Sequence, residues 1–164
     1  VYFDHGLPYQ CPGYDKIVKI IKNERIEEVI RLQSWKPRSV YSTSSGDLLV
    51  IMDSNDYTQA KLVRYSGSTE KQSIQFDDKG KPIYSPRCIH ITENKNLDIC
   101  VSDRGSRAVV MVNQAGKLRC RYTGHTPSLK NGAFHPQGIT TDSQSHILTA
   151  DNNKSCVHII DQDG

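Results

Sequence analysis

The sequence predicts an all-β fold assembled from repeated four-stranded antiparallel meanders, and three observations predict it. Pro37, Pro86 and Pro136 recur at intervals of 49 and 50 residues, a period characteristic of repeat architectures. Each proline is followed by a short apolar segment, a polar turn and a second apolar segment that closes on an aspartate. The apolar segments run almost without alternation, which suits strands covered on both faces.

The first strand of each copy is read at Ser39-Val40-Tyr41, Cys88-Ile89-His90-Ile91 and Gly138-Ile139-Thr140. The turns that follow, Ser44 to Asp47, Glu93 to Asn96 and Asp142 to Ser145, are rich in residues that bend the chain or bond their own backbone. Second strands come next at Leu48 to Ile51, Leu97 to Val101 and Ile147 to Ala150, closing on Asp53, Asp103 and Asp151. Third strands, Leu62 to Tyr65, Val109 to Val112 and Val157 to Ile160, run into turns ending at Gly67, Gly116 and Gly164. A more polar fourth strand is read at Ser73 to Phe76 and Leu118 to Tyr122, as expected of an exposed edge.

Sheets whose two faces are both apolar must stack on one another. Radial stacking in a β-propeller satisfies this and leaves only short outer edges. Residues 1–34 match the C-terminal part of an earlier blade, with Val1 to Asp4 as a second strand, Ile17 to Ile21 as a third and Glu27 to Leu32 as a fourth. A helix from Asn23 to Leu32 is the competing reading. Complete blades are expected at 35–84 and 85–134, and the N-terminal part of another at 135–164. Two complete and two partial blades are fewer than the four to eight that close a ring. The absence of an initiator Met and the final turn at Asp161 to Gly164 suggest a piece of something longer. An isolated piece of this kind should expose apolar sheet surface.

The 164 residues allow one domain with a sizeable core. With 21 Lys+Arg against 18 Asp+Glu, the formal net charge of +3 is far from that of a dedicated basic nucleic-acid-binding arm. Cys11, Cys88, Cys100, Cys120 and Cys156 are scattered singly, without a Cys-x-x-Cys pair. Reduced, mostly buried thiols and a cytoplasmic location are therefore expected. No apolar run approaches the ~20 residues that cross a bilayer, so no membrane partner is expected.

The pattern Pro-x-x-Ile, an apolar strand ending in Asp, then Val-x-Val and a Gly turn resembles the NHL repeat over essentially the whole chain. The single Trp35 precedes Lys36-Pro37, and no Trp-Asp pair closes a strand, which disfavours the WD repeat. Trp35-Lys36-Pro37, Ser42 to Val50 and Gly138 to Ser143 look like the C-terminal NHL propellers of invertebrate tripartite-motif-like proteins. That resemblance implies a non-catalytic propeller that selects a protein target for a RING-type ubiquitin ligase. It also implies a parent that oligomerises through a coiled coil lying outside this chain. RNA is the second partner class the resemblance implies. The Asn-His positions that name the repeat hold Ser106-Arg107 and Lys154-Ser155, a departure that bears on loop chemistry.

In an antiparallel meander alternate connections share one side, so the loops after the three aspartates lie with the segments around the prolines. This face is expected to gather Lys36, Arg38, Arg87, Arg104, Arg107, Lys130, Asn152, Asn153 and Lys154, donors suited to carboxylates or phosphates. Asp53, Asp77, Asp78 and Asp103 are expected there too, with Tyr57 and Trp35 as nearby aromatics. Solvated loop charge accounts for the same residues without a ligand. The recurring Asp53, Asp103 and Asp151 are read as structural acceptors for loop N–H groups. No metal or other cofactor is expected: the six histidines, at 5, 90, 125, 135, 146 and 158, show no ligand spacing in sequence. A calcium- or zinc-dependent propeller lyase or lactonase is the remaining alternative.

Overall fold

The computed structural model describes residues 17–22, 25–87, 90–124 and 132–164. The expected strand at Val1 to Asp4, together with Lys130, Cys11, Cys88, His5 and His125, lies outside these. Among the described residues there are thirteen strands and no helix. β1 (Ile17–Lys22) and β2 (Arg25–Arg31) form an antiparallel hairpin, so the helical alternative over this stretch is not taken.

Two complete meanders follow. The first comprises β3 (Trp35–Ser42), β4 (Leu48–Ser54), β5 (Ala60–Ser66) and β6 (Thr69–Ile74). The second comprises β7 (His90–Glu93), β8 (Ile99–Asp103), β9 (Ala108–Val112) and β10 (Leu118–Tyr122). A three-stranded sheet, β11 (Pro136–Thr141), β12 (Ile147–Asp151) and β13 (Cys156–Ile160), ends the chain. β6 begins earlier than the apolar pattern suggested, because the tight turn at Gly67 pairs Ser66 directly with Thr69. Phe76 instead bridges to Pro82 in a small hairpin outside the sheet.

Three apolar layers hold the sheets face to face. Ile30 and Leu32 meet Val50, Met52, Val63 and Tyr65. Leu49, Ile51, Ala60 and Leu62 on the other face of that sheet meet Ile91, Ile99, Val101 and Val110. Cys100, Val109 and Met111 then meet Phe134, Ile147 and Ile160. Each complete sheet thus buries both faces, and β8 and β9 are buried along their whole length, which explains why they lack alternation. β13 alternates instead. Ile160 is buried, whereas Val157 and Ile159 are 62% and 68% exposed. The fold is a partial β-propeller of four-stranded antiparallel blades.

Turn geometry aligns the blades more finely than the prolines do. The bonds Thr43 N–H to Asp47 O, Asn94 N–H to Asp98 O and Asp142 N–H to His146 O mark one recurring turn. Its left-handed position is occupied by Gly46, Leu97 and Ser145. Leu48, Ile99 and Ile147 are therefore equivalent, at offsets of 51 and 48 residues, and each faces the preceding sheet. It follows that Met52, not Asp53, is the counterpart of Asp103 and Asp151. The pairing of Pro37 with Met52 and of Pro136 with Asp151 agrees. Asp53 lies one residue further on, and a slip of one residue turns a side chain to the opposite face of its sheet.

Close approach between blades is enforced at the turns. Gly116, at φ +82°, sits where an added Cβ would come within 2.9 Å of Ile74 Cγ1 in the preceding blade. Polar bonds cross the same interface: Arg64 Nη2 donates to Glu93 Oε1 at 2.7 Å, while Ser44 donates to Oε2 from its N–H at 3.1 Å and its hydroxyl at 3.0 Å.

Candidate binding face

The ends of β4, β8 and β12 carry their connecting loops to one rim, shared with the segments that enter β3, β7 and β11. Each loop holds a non-glycine residue at positive φ: Tyr57 at 58°, Arg107 at 54° and Ser155 at 51°. Such backbone costs an L-residue on the order of 1–2 kcal/mol, so the surrounding bonds must hold it.

The aspartates do much of that holding. Asp103 is fully buried and accepts from Ser85 N–H at 2.8 Å, from Ser106 N–H at 2.9 Å and from the Ser85 hydroxyl. Asp151 Oδ1 accepts from His135, Asn153 and Lys154 N–H at 3.2, 3.1 and 3.3 Å. Asp53 does a different job from its two supposed counterparts, as its register requires. It receives Arg38 Nε at 2.6 Å and reaches forward to Arg87 N–H at 2.9 Å, so it ties its own blade to the entry of the next. Arg38 can reach it because Arg38 is the bulged residue between Pro37 and Ser39, where the register with β4 shifts.

Lys36, Arg38 and Arg87 converge on the exposed ring of Tyr57. Lys36 Nζ lies 4.0 Å from the ring centroid, Arg38 Cζ 5.4 Å and Arg87 Cζ 5.7 Å. Lys36 also donates to Asn55 O at 3.2 Å. Lys36, hydrogen-bonding to the Tyr57 hydroxyl, holds its pKa below the ordinary value, against the effect of burial. The other candidates stand on the following two blades. Arg104 Nε donates to His135 Nε2 at 2.6 Å, Asn153 Nδ2 donates to Ala133 O at 2.8 Å, and Asn152 N–H is bonded to His135 O at 3.1 Å. Arg107 is exposed in the loop before β9, and Lys154 is half-buried in the loop before β13.

Asp77 and Asp78 do not join this rim. They lie in the hairpin closed by Phe76 and Pro82, where Asp78 comes within 3.8 Å of Lys117, a residue of the turn between β9 and β10 at the other end of the blade. Trp35 is half-buried against the first apolar layer, with Lys61 Nζ 4.4 Å from its ring. Tyr57 is thus the exposed aromatic of the rim among the described residues.

One grouping escaped the sequence reading. His158, Cys156 and Asp151 place one donor atom each within 4.8 Å of one another, and Asp142 bonds His146 at 2.8 Å, so histidine–carboxylate pairs do form. The alternation Cys156-Val157-His158 was the available signal, since residues two apart in a strand share a face. The carboxylate opposite them was set by cross-strand register.

No protein-family model matches the chain, and no curated protein matches it. Solved structures do. A catalytically inactive virginiamycin B lyase from Staphylococcus aureus with quinupristin matches with a TM-score of 0.58 at 14% identity, over 90% of this chain and 43% of that one. A streptogramin B lyase matches with a TM-score of 0.57 at 14% identity, over 87% and 47%. A protein of unknown function from Bacteroides caccae matches with a TM-score of 0.54 at 13% identity, over 78% and 43%. The chain therefore spans less than half the length of each of these structures. The expectation that the chain is not an enzyme is corrected by these neighbours. Two of the three are lyases, so the fold supplies no ground for excluding catalysis. No helix among the described residues is long and apolar enough to cross a membrane. At these identities the likeness shows architecture alone, and that architecture is the β-propeller.

Proposed function

We propose that this chain is part of a partner-recognition propeller of the tripartite-motif NHL type, which reads an acidic protein segment on the rim formed by the loops after β4, β8 and β12. The observation that carries the reading is the convergence of Lys36, Arg38 and Arg87 on the Tyr57 ring. An exposed aromatic surrounded by cationic donors offers apolar contact and carboxylate pairing in one place, the combination that anchors protein interfaces. The ligase setting is supported by the sequence resemblance. In that setting this rim would select the protein to be ubiquitylated in the cytoplasm.

RNA is the weaker occupant. Single-stranded RNA readout wants several stacking platforms, and among the described residues the rim offers Tyr57 alone, since Trp35 is packed against the apolar layer.

Fluorescence anisotropy with a Glu-rich peptide containing aromatics, and in parallel with an oligouridine, tests the reading. Peptide binding should weaken with added salt and fall about tenfold or more in a Lys36→Glu/Arg87→Glu variant, whereas Arg38 is left intact because it ties down Asp53. Preferential oligouridine binding, or unchanged peptide binding in the variant, would overturn it.

A further inference from the structure

We propose that Asp151, Cys156 and His158 form a binding site for a borderline divalent metal ion of the zinc class. Cys156 and His158 are alternate residues of β13 on one face, and Asp151 at the end of β12 is the direct cross-strand partner of Cys156. His158 Nε2 stands 3.4 Å from Asp151 Oδ2 and 3.5 Å from Cys156 Sγ. A tetrahedral ion with metal–N and metal–O bonds near ~2.0 Å and metal–S near ~2.3 Å has edges of about 3.3 Å between N and O and about 3.5 Å between N and S. The two separations therefore already match those of a common ion.

A second observation points the same way. Asp151 is 1% exposed, yet its Oδ2 accepts no hydrogen bond, while its Oδ1 takes three N–H groups. In the preceding blade the equivalent Asp103 has both oxygens occupied, Oδ2 by Ser85 N–H and Oδ1 by Ser106 N–H. An acceptor left bare in the interior costs about 1–3 kcal/mol unless something is bound to it. Here it is turned toward the thiol and the imidazole.

The register isolates what is special about this blade. Positions paired like Cys156 and His158 are Ala108 and Val110 in one complete blade and Lys61 and Val63 in the other. Among the described residues, only the last blade puts two soft or borderline ligands beside the carboxylate. Tyr122 on β10 supplies the outer support: its hydroxyl lies 2.8 Å from His158 Nδ1. With Nδ1–H donating to Tyr122 Oη, the Nε2 lone pair faces Asp151 and Cys156, the arrangement by which ligating histidines are oriented. Phe134 packs edge-on against the same imidazole at 5.0 Å and limits its rotation. Cys156 is exposed, so a fourth position opens to solvent. Binding requires the Cys156 proton to leave as the thiolate forms.

Cobalt(II) titration of the reduced full chain tests the site, because a thiolate bound to cobalt gives a charge-transfer absorption. One equivalent should produce that band. It should vanish in Cys156→Ala and in His158→Val, which install the side chains the second blade already carries at Ala108 and Val110 and so preserve the fold. Cys120→Ser should keep the band. Zinc affinity, measured by competition with a chromophoric chelator, should drop by about 100-fold or more in the two ligand variants and about tenfold in Tyr122→Phe. No band in the reduced chain, or an undiminished band in Cys156→Ala with circular dichroism unchanged, would overturn the assignment.

Discussion

Replacing Glu93 with Thr should expose how much of the blade interface depends on one ion pair. The Glu93 side chain is 3% exposed and that of Arg64 11%, with 2.7 Å between their charged atoms. The substitution removes the acceptor and leaves a guanidinium that retains only Asp47 at 3.8 Å. Breaking a buried pair from one side costs about 3–5 kcal/mol. The remaining Asp47 contact and the partial exposure of Arg64 place the expected loss near ~3 kcal/mol. The following interface shows what nature puts there otherwise, since Met111 and Thr141 hold the positions equivalent to Arg64 and Glu93. The Arg64→Met/Glu93→Thr double variant should therefore recover to within about 1–2 kcal/mol of the parent, the residue being the Ser44 donors, which return to water. Urea denaturation followed by far-ultraviolet circular dichroism measures all four corners of this cycle without screening charge. Losses that simply add in the double variant would refute the reasoning.

Ser145→Gly should stabilise the chain by about 0.5–1 kcal/mol, because Ser145 stands at φ 71° where the first blade uses Gly46, and the relief of the left-handed strain exceeds the entropy cost of glycine; the same denaturation assay reads it. Burial pushes the Cys100 thiol up to about 12, so at mildly alkaline pH it should stay unmodified by iodoacetamide in the folded chain, while the exposed Cys156 is labelled and is protected by zinc; peptide mass spectrometry separates the two.

The strands were legible because their physics is local. Leu48 to Ile51 and Val109 to Val112 are apolar runs too short for helices and bounded by turn residues, and they appear as β4 and β9. The rim was legible in outline, since alternate connections of a meander must fall on one side. Its chemistry was less so. Arg87 lies 49 residues beyond Arg38 in sequence, and its meeting with Lys36 and Arg38 at Tyr57 depends on a bulge at Arg38 and on the approach of the next blade. Asp77 and Asp78 were misplaced because residues after β6 leave the sheet in a hairpin that no periodicity marks.

Residue order alone determined the repeat, the all-β class and the need for sheets to stack, because uninterrupted apolar strands have no other way to leave water. Tertiary structure decided which face each residue occupies. Asp53 and Asp103 look alike in sequence, yet a one-residue difference in register turns one toward the next blade and the other into its own loop. The same register sets Asp151 opposite Cys156 and beside His158, since side chains alternate faces along a strand and only pairing with a neighbour says which ones meet.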